Sequence, residues 1–265
     1  MSEIERVFRR CRRERRAAFI PFLVAGDPDL DTTAGLLDAL VAGGADLIEI
    51  GVPFSDPIAD GPVIQRAATR ALEGGVTLSK VLALVAAKRP SLGVPIVLFS
   101  YFNPLQVRGA ELFAEQAAAS GVDGVLCVDL PPEEGDLLAP ALARHGLDTI
   151  FLLSPTSGPE RVAKVERVAS GFVYYVSVTG TTGERRRVGK GLGKTVRRLR
   201  KKLDLPLAVG FGISTPEQVA EVAAMADGVV VGSALVRFVE EHAGHPQLAR
   251  LLERKVRELA APLRG

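Results

Sequence analysis

A phrase that recurs four times along the chain constrains its fold more than any other feature. In each copy a small residue, an Asp and an apolar run follow one another: AGGADLIEIG at 42–51, SGVDGVLCVD at 120–129, HGLDTIFLLS at 145–154 and AMADGVVVGS at 224–233. Gly suits the left-handed residue that ends a helix, and a continuous apolar run suits a strand buried on both faces. Each copy is therefore predicted to be a helix end, a short loop and a parallel strand.

Other apolar runs lie between these phrases and complete a set of eight predicted strands: 17–26, 94–101, 171–180 and 205–212. Amphipathic stretches such as 32–43, 111–120, 160–170 and 216–225 predict helices between the strands. Strands that alternate with helices indicate parallel βαβ units, and a chain of 265 residues has the size of an α/β (β/α)8 TIM barrel. A doubly wound sheet is the competing architecture, but no G-x-G-x-x-G follows the first strand.

The expected organisation is one TIM-barrel domain over residues 1–265. An extra N-terminal helix is predicted at 1–16, the barrel at 17–240 and a C-terminal helix at 241–265. The basic stretches near the N-terminus and at 185–203 have the pattern of solvated helix faces, and nucleic-acid binding is the alternative. A net charge of +2 is too small to favour a nucleic-acid partner.

Cysteine use and hydropathy favour a cytoplasmic location as the expectation for this chain. Cys11 and Cys127 are its two cysteines, and their spacing does not indicate a disulfide framework. We recognise neither a signal peptide nor an apolar run long enough for a membrane span. Metal-ligand spacing and nicotinamide or flavin motifs are also missing, so neither a metal nor a cofactor is expected.

An acid interrupts the apolar run of the second predicted strand. In LIEIG, Leu47, Glu49 and Gly51 share one strand face, and both faces of a barrel strand are covered. Burial disfavours the carboxylate and raises its pKa, which suits a general acid or base. The alternative is a structural ion pair between Glu49 and a basic side chain.

The loop after this strand, VPFSDPIADGP, is stiffened by prolines and carries Asp56 and Asp60. Active sites of TIM barrels lie where strands end, so this loop belongs to the candidate site. Asp56 has the context of a turn-forming residue. Asp60 precedes Gly61-Pro62 and a predicted helix, which leaves N-capping and a role in catalysis equally open.

Glycine-rich loops follow the last three predicted strands, with TGTTG at 179–183, GFGIS at 210–214 and Gly232-Ser233. Barrels commonly bind phosphate in these positions, which predicts a small phosphorylated substrate. Tyr174 and Tyr175 are neighbours in the sixth strand and must point to opposite faces, so one of them can reach the barrel mouth.

Several of these segments, in order and spacing, resemble the tryptophan synthase alpha chain family: PFLVAGDPD, LIEIGVPFSDPIADGPVIQRA, SYFNP, GVDGVLCVDLPPEE, TGTTG, GFGIS and VVVGSALV. The resemblance covers about residues 18 to 240. It implies retro-aldol cleavage of indole-3-glycerol phosphate to indole and glyceraldehyde 3-phosphate. It also implies a tryptophan synthase beta chain as partner, in an alpha2-beta2 heterotetramer.

The resemblance further implies roles for individual residues. Glu49 matches the catalytic acid and base, Asp60 the acid that holds the indole N–H, and Tyr174 the active-site tyrosine, although Tyr175 beside it leaves that match ambiguous. Substrate-binding positions are implied for Phe22, Tyr101, Leu126, Leu152, Thr182, Gly183, Phe211, Gly212, Gly232 and Ser233. Partner-interface positions are implied for Pro53, Phe54, Asp56 and Asn103. The alternatives are a stand-alone lyase that releases free indole and a non-catalytic phosphate-binding barrel.

Overall fold

The computed structural model describes residues 1–176, 191–210 and 212–264. In this part of the chain, parallel strands form one closed barrel in which each strand pairs with the next and β8 pairs with β1. The strands are β1 Ala18–Val24, β2 Ile48–Gly51, β3 Ile96–Ser100, β4 Gly124–Cys127, β5 Asp148–Leu153, β6 Val173–Val176, β7 Leu207–Gly210 and β8 Gly228–Val231. The predicted TIM barrel is therefore confirmed.

Helices surround the barrel and join its strands. They are α1 Glu3–Arg13, α2 Leu30–Gly43, α3 Pro62–Glu73, α4 Leu78–Lys88, α5 Phe102–Arg108, α6 Ala110–Ala119, α7 Ala139–Arg144, α8 Pro159–Val168, α9 Leu192–Arg200, α10 Pro216–Ala223, α11 Ser233–Glu241 and α12 Leu248–Ala260. Short 3-10 helices span Pro132–Leu137 and Ala261–Leu263. No helix among the described residues is long and apolar enough to cross a bilayer.

The buried side chains form two layers, as the covered faces of the strands require. An outer layer fills the space between the sheet and the helices. An inner layer fills the barrel, and α1 contributes Ile4, Val7, Phe8 and Cys11 to it, so the predicted extra helix closes the barrel at the amino ends of the strands. In the described part of the chain, a cavity opens at the opposite end, where the strands finish.

The repeated Asp has a structural role at the closed end. In three copies its carboxylate accepts a hydrogen bond from an amide near the start of the preceding strand, and its own amide donates to the carbonyl of that same residue. These double clamps join Asp46 to Phe19 at 3.0 and 2.9 Å, Asp123 to Ile96 at 2.8 and 2.9 Å, and Asp227 to Leu207 at 3.0 and 2.9 Å.

A fourth clamp lies outside the repeated phrases. Ser170 accepts from the amide of Thr149 at 2.8 Å through its hydroxyl and donates to the carbonyl of Thr149 at 2.9 Å. The clamps therefore join β1 to β2, β3 to β4, β5 to β6 and β7 to β8. Asp148 begins an odd-numbered strand and makes no such clamp among the described residues, and its Oδ2 is buried without a hydrogen-bond partner there.

Candidate active site

A cavity of about 410 Å³ opens at the carboxyl ends of the strands, within the size range of small-molecule sites. It brings together eight of the side chains or glycines singled out in the sequence: Phe22, Glu49, Asp60, Leu152, Tyr174, Gly212, Gly232 and Ser233. Its wall is mostly apolar, with the two carboxyl groups facing the same space.

Glu49 lies in the barrel mouth with only 1% of its surface exposed. It stands in register with Phe22 of β1 and Val97 of β3, so apolar side chains flank it on both sides. Its Oε1 is buried and has no hydrogen-bond partner among the described residues. Burial alone raises the pKa of Glu49 from 4.5 to about 8, so the group is protonated at neutral pH. No basic side chain among the described residues forms an ion pair with Glu49.

Asp60 is the second acid of the cavity, and it lies in a different environment. It is 7% exposed, and its Oδ2 accepts a 3.0 Å hydrogen bond from the Tyr101 hydroxyl. Burial raises the pKa of Asp60 to about 6, while the Tyr101 hydrogen bond lowers it. The group is therefore mostly ionised at neutral pH. Gly61, not Asp60, is the N-cap of α3, so the N-capping alternative is wrong.

The two tyrosines of β6 point to opposite faces of the strand, as the strand period predicts. Tyr174 lines the cavity and belongs to the inner layer, whereas Tyr175 packs in the outer layer. A Cβ added to Gly210 would lie 2.1 Å from the Tyr174 hydroxyl oxygen, so only glycine leaves room for this ring. Burial, and then the nearby Glu49, raise the pKa of Tyr174, so its hydroxyl keeps its proton and can donate a hydrogen bond.

The glycine-rich side of the cavity is formed after β7 and β8. Gly212, Gly232 and Ser233 line it, and Ser233 begins α11, so the amino end of that helix borders the cavity. Backbone amides at such an end are a ready site for phosphate. Thr182 and Gly183 of the TGTTG segment, and Phe211, lie outside the described residues.

Two predicted substrate contacts stand elsewhere. Tyr101 is buried behind the cavity wall, where its hydroxyl donates to Asp60 and accepts from the amide of Ala59 at 3.0 Å. Its ring stacks on Phe54 with centroids 5.0 Å apart. Leu126 is completely buried in the inner layer and is not among the residues that line the cavity.

The predicted partner-interface residues differ in their exposure. Pro53 is buried and Phe54 is half-buried, whereas Asp56 and Asn103 are exposed. Ile58 on the same loop as Asp56 is 76% exposed, which leaves a large apolar side chain uncovered beside the site. All lie after β2 or β3, at the open end of the barrel.

Some cavity residues were missed in the sequence: Ala59, Ile64, Phe99, Val128, Leu153, Ser154, Ser157, Arg161, Val176 and Val230. Ser154 and Ser157 follow β5, where the rule that sites lie at strand ends could have found them. Arg161 lies in the first turn of α8, where its Nη2 is 3.3 Å from Glu133 Oε2. Nothing in the local sequence signals that a helical arginine reaches the cavity.

Comparisons with known proteins identify the family of the chain. The family model described as tryptophan synthase alpha chain matches residues 8–263. The alpha chain of Geotalea daltonii is 50% identical over 255 residues, which cover 95% of this chain and 97% of the relative. The alpha chain of Geobacter sulfurreducens is 53% identical over 240 residues, 91% of each chain.

Solved structures give the same result at the level of the fold. The tryptophan synthase subunit alpha of Legionella pneumophila superposes with a TM-score of 0.92 at 37% identity, covering 100% of this chain and 99% of that one. A chain of Mycobacterium tuberculosis tryptophan synthase gives a TM-score of 0.90 at 41% identity, with coverages of 100% and 99%. The chain belongs to the tryptophan synthase alpha chain family.

Proposed function

We propose that Glu49 is the general acid and base, and Asp60 the fixed anion, of a lyase reaction on indole-3-glycerol phosphate. The chain is a lyase of this kind by its family. The observation that carries the assignment is the pair of carboxyl groups in one cavity whose environments set their pKa values apart, at about 8 for Glu49 and about 6 for Asp60. Two carboxyl groups so separated supply an acid and an anion at the same pH.

The reaction requires this pair of groups. Protonated Glu49 gives its proton to C3 of the indole, and the ring becomes an indoleninium with positive charge at nitrogen. The Asp60 carboxylate stabilises that charge through the indole N–H. Glu49, now a carboxylate, takes the proton of the adjacent glycerol hydroxyl. The new carbonyl forms as the C–C bond breaks, its electrons restore the indole, and Glu49 ends protonated as it began.

The rest of the cavity supplies binding. Phe22, Leu152 and the neighbouring apolar wall accommodate the indole ring, and the Tyr174 hydroxyl is a hydrogen-bond donor for the glycerol chain. Gly212, Gly232 and Ser233, with the amino end of α11, hold the phosphate. Thr182, Gly183 and Phe211 are proposed to complete the site on the strength of the family pattern alone, and so is Leu126 beneath the ring.

Indole release from indole-3-glycerol phosphate tests the assignment. Glu49→Gln keeps the shape of the side chain but cannot donate a proton, so kcat should fall by a factor on the order of 10²–10⁴. Glu73→Gln, an exposed change at the end of α3, is the matched control and should leave kcat unchanged. A Glu49→Gln variant that keeps most of the wild-type kcat would refute the central role of Glu49.

Alpha chains of this family pair with beta chains, and we propose that this chain does so through the open end of the barrel. Exposed Asp56, Asn103 and Ile58 would form the contact, with Phe54 and Pro53 behind them. Phe54 stacks on Tyr101, and the Tyr101 hydroxyl donates a hydrogen bond to Asp60. A partner that binds this loop would therefore contact residues that are connected to Asp60. An alpha2-beta2 heterotetramer and a cytoplasmic location are proposed with it.

A stand-alone lyase would carry the same catalytic residues, so the beta chain itself must separate the two functions. Mixing the chain with a beta chain should produce a complex and raise the rate of indole formation. A high rate without the beta chain, together with no complex on size-exclusion chromatography, would favour the stand-alone lyase. A chain that binds phosphate esters but releases no indole would be the non-catalytic barrel.

A further inference from the structure

Arg70 of α3 contacts two carboxylates on different elements at the open end of the barrel. Its Nε and Nη2 donate to the two oxygens of Asp27 at 2.8 and 2.9 Å, just beyond the end of β1. Its Nη1 donates to Oε1 of Glu240 in α11 at 2.7 Å. The Asp27 side chain is only 4% exposed, so this half of the contact is shielded from solvent.

The backbone of Asp60 is bonded to the helix that carries Arg70. Asp60 lies two residues before α3, and Gln65 in that helix donates to the Asp60 carbonyl at 2.8 Å. The amide of Gln65 in turn donates to the carbonyl of Gly61 at 3.0 Å. A shift of α3 therefore moves Asp60 with it.

The glycine-rich wall of the cavity is tied to α11 in the same way. Gly232 is the N-cap of this helix, and its carbonyl accepts from the amides of Leu235 and Val236 at 2.8 and 3.1 Å. Glu240 lies at the other end of α11. Its contact with Arg70 therefore links α3, which follows Asp60, to the helix that borders the proposed phosphate site.

We propose that Arg70 is a positioning residue that fixes the distance between Asp60 and the phosphate-binding end of α11. This inference rests on the proposed function, since it concerns the two ends of the same substrate. Arg70 is not among the residues that line the cavity, and its hydrogen bonds to Asp27 and Glu240 act through α3, α11 and the loop after β1. The affinity of a ligand that spans both ends of the cavity depends on this distance, whereas the affinity of a ligand that fills one end does not.

The geometry requires arginine. A guanidinium offers donors in a planar fork, and Arg70 uses three nitrogens on two carboxylates at once. A lysine ammonium is a point charge that cannot reproduce the bidentate contact with Asp27. The Arg66 and Arg70 guanidinium groups lower the pKa of Glu240 to about 2, so the contact persists throughout the neutral range.

Arg66 provides a graded comparison one turn earlier on the same helix. Its Nε and Nη2 also donate to Glu240, at 2.8 and 2.7 Å, but its side chain is 53% exposed and it forms no ion pair with Asp27. Exposed ion pairs of this kind contribute little to the stability of the fold. Arg144, whose exposed side chain pairs with Glu111 on the far helices, serves as an unlinked control.

The experiment compares three ligands by calorimetry: indole, glycerol 3-phosphate, and a non-cleavable analogue in which three methylene groups join indole to phosphate. Arg70→Met should lower the affinity for the spanning analogue on the order of tenfold and change the affinity for each one-ended ligand less than about twofold. The reason is that linked groups gain affinity only when both ends fit. The affinity of Arg70→Lys for the spanning analogue should lie between those of the wild-type chain and Arg70→Met. Arg66→Met and Arg144→Met should change the affinity for each of the three ligands less than about twofold.

Glu240→Gln is the second variant, since it weakens the link between the helices and leaves the Asp27 contact in place. A loss of affinity that is confined to the spanning analogue, in Arg70→Met or Glu240→Gln, supports the proposal. Equal loss for all three ligands, or no loss for the spanning analogue in either variant, overturns it. A wild-type chain that binds none of the three ligands would refute the proposed site itself, and this inference with it.

Discussion

The buried carboxyl of Glu49 makes the stability of the fold depend on pH, and the Glu49→Gln substitution isolates that dependence. The pKa of Glu49 is about 8 in the folded chain and 4.5 in the unfolded one. Between these values the unfolded chain has released the proton and the folded chain keeps it. The stability contributed by the protonated group is therefore fully present below about pH 4.5 and is lost as the pH rises through about 8.

The magnitude follows from the size of the shift. The difference between 8 and 4.5 is 3.5 pKa units, and at about 1.4 kcal/mol for each unit the full effect is roughly 5 kcal/mol. About 3.5 kcal/mol of it falls between about pH 5 and pH 8, where most proteins can be measured. This is a substantial fraction of the total stability of a typical domain, about 5–15 kcal/mol.

Urea unfolding of the wild-type chain and of Glu49→Gln at about pH 5 and pH 8 measures the effect. The wild-type free energy of unfolding should fall by about 3.5 kcal/mol more than that of the variant over this interval. Contributions from Asp60 and other titrating groups occur in both chains and cancel in the comparison. Parallel pH dependences in the two chains would refute the reasoning, since Glu49 would then be ionised or solvated in the fold.

Activity should follow the same two groups. The kcat/KM for indole release should fall below about pH 6, where Asp60 becomes protonated, and above about pH 8, where Glu49 loses its proton. Tyr101→Phe removes the hydrogen bond that lowers the pKa of Asp60, so the acid limb of this profile should move up by about one pH unit. Gly210→Ala places a Cβ against the Tyr174 hydroxyl, so it should lower kcat/KM and cost about 1–3 kcal/mol in urea unfolding.

Each of these results has a control or a contradicting outcome. A profile that stays flat from about pH 5 to pH 9 would contradict the assignment of both carboxyl groups. An unchanged acid limb in Tyr101→Phe would mean that this hydrogen bond does not govern Asp60. Gly93→Ala, where an added Cβ meets open space, controls for the effect of replacing a glycine.

The fold was predictable because its signals are local. Each strand is an apolar run next to a helix end, and alternation along the chain is enough to indicate a barrel. Glu49 was predictable for the same reason, since a charge inside a buried strand is visible in five residues of sequence. The opposite faces of Tyr174 and Tyr175 follow from the strand period alone.

Other features of the site depend on contacts between distant residues, and local sequence carries no signal for them. Arg70 reaches Asp27 across 43 positions and Glu240 across 170. The hydroxyl of Tyr101 binds Asp60 rather than lining the cavity because of the path of the loop after β2, which no periodicity specifies. Arg161 enters the cavity from a helix that reads as an ordinary amphipathic one.

The clamps at the closed end of the barrel have a consequence for how the chain can be divided. They join the strands in four pairs, β1 with β2, β3 with β4, β5 with β6 and β7 with β8. A chain cut between β2 and β3, or between β4 and β5, leaves every clamp within one fragment. A cut between β1 and β2 separates Asp46 from Phe19. Two-fragment reconstitution and circular permutation should therefore succeed at the boundaries between pairs and fail within them, so that the quarter-barrel, not the single βα unit, is the module from which this barrel can be reassembled.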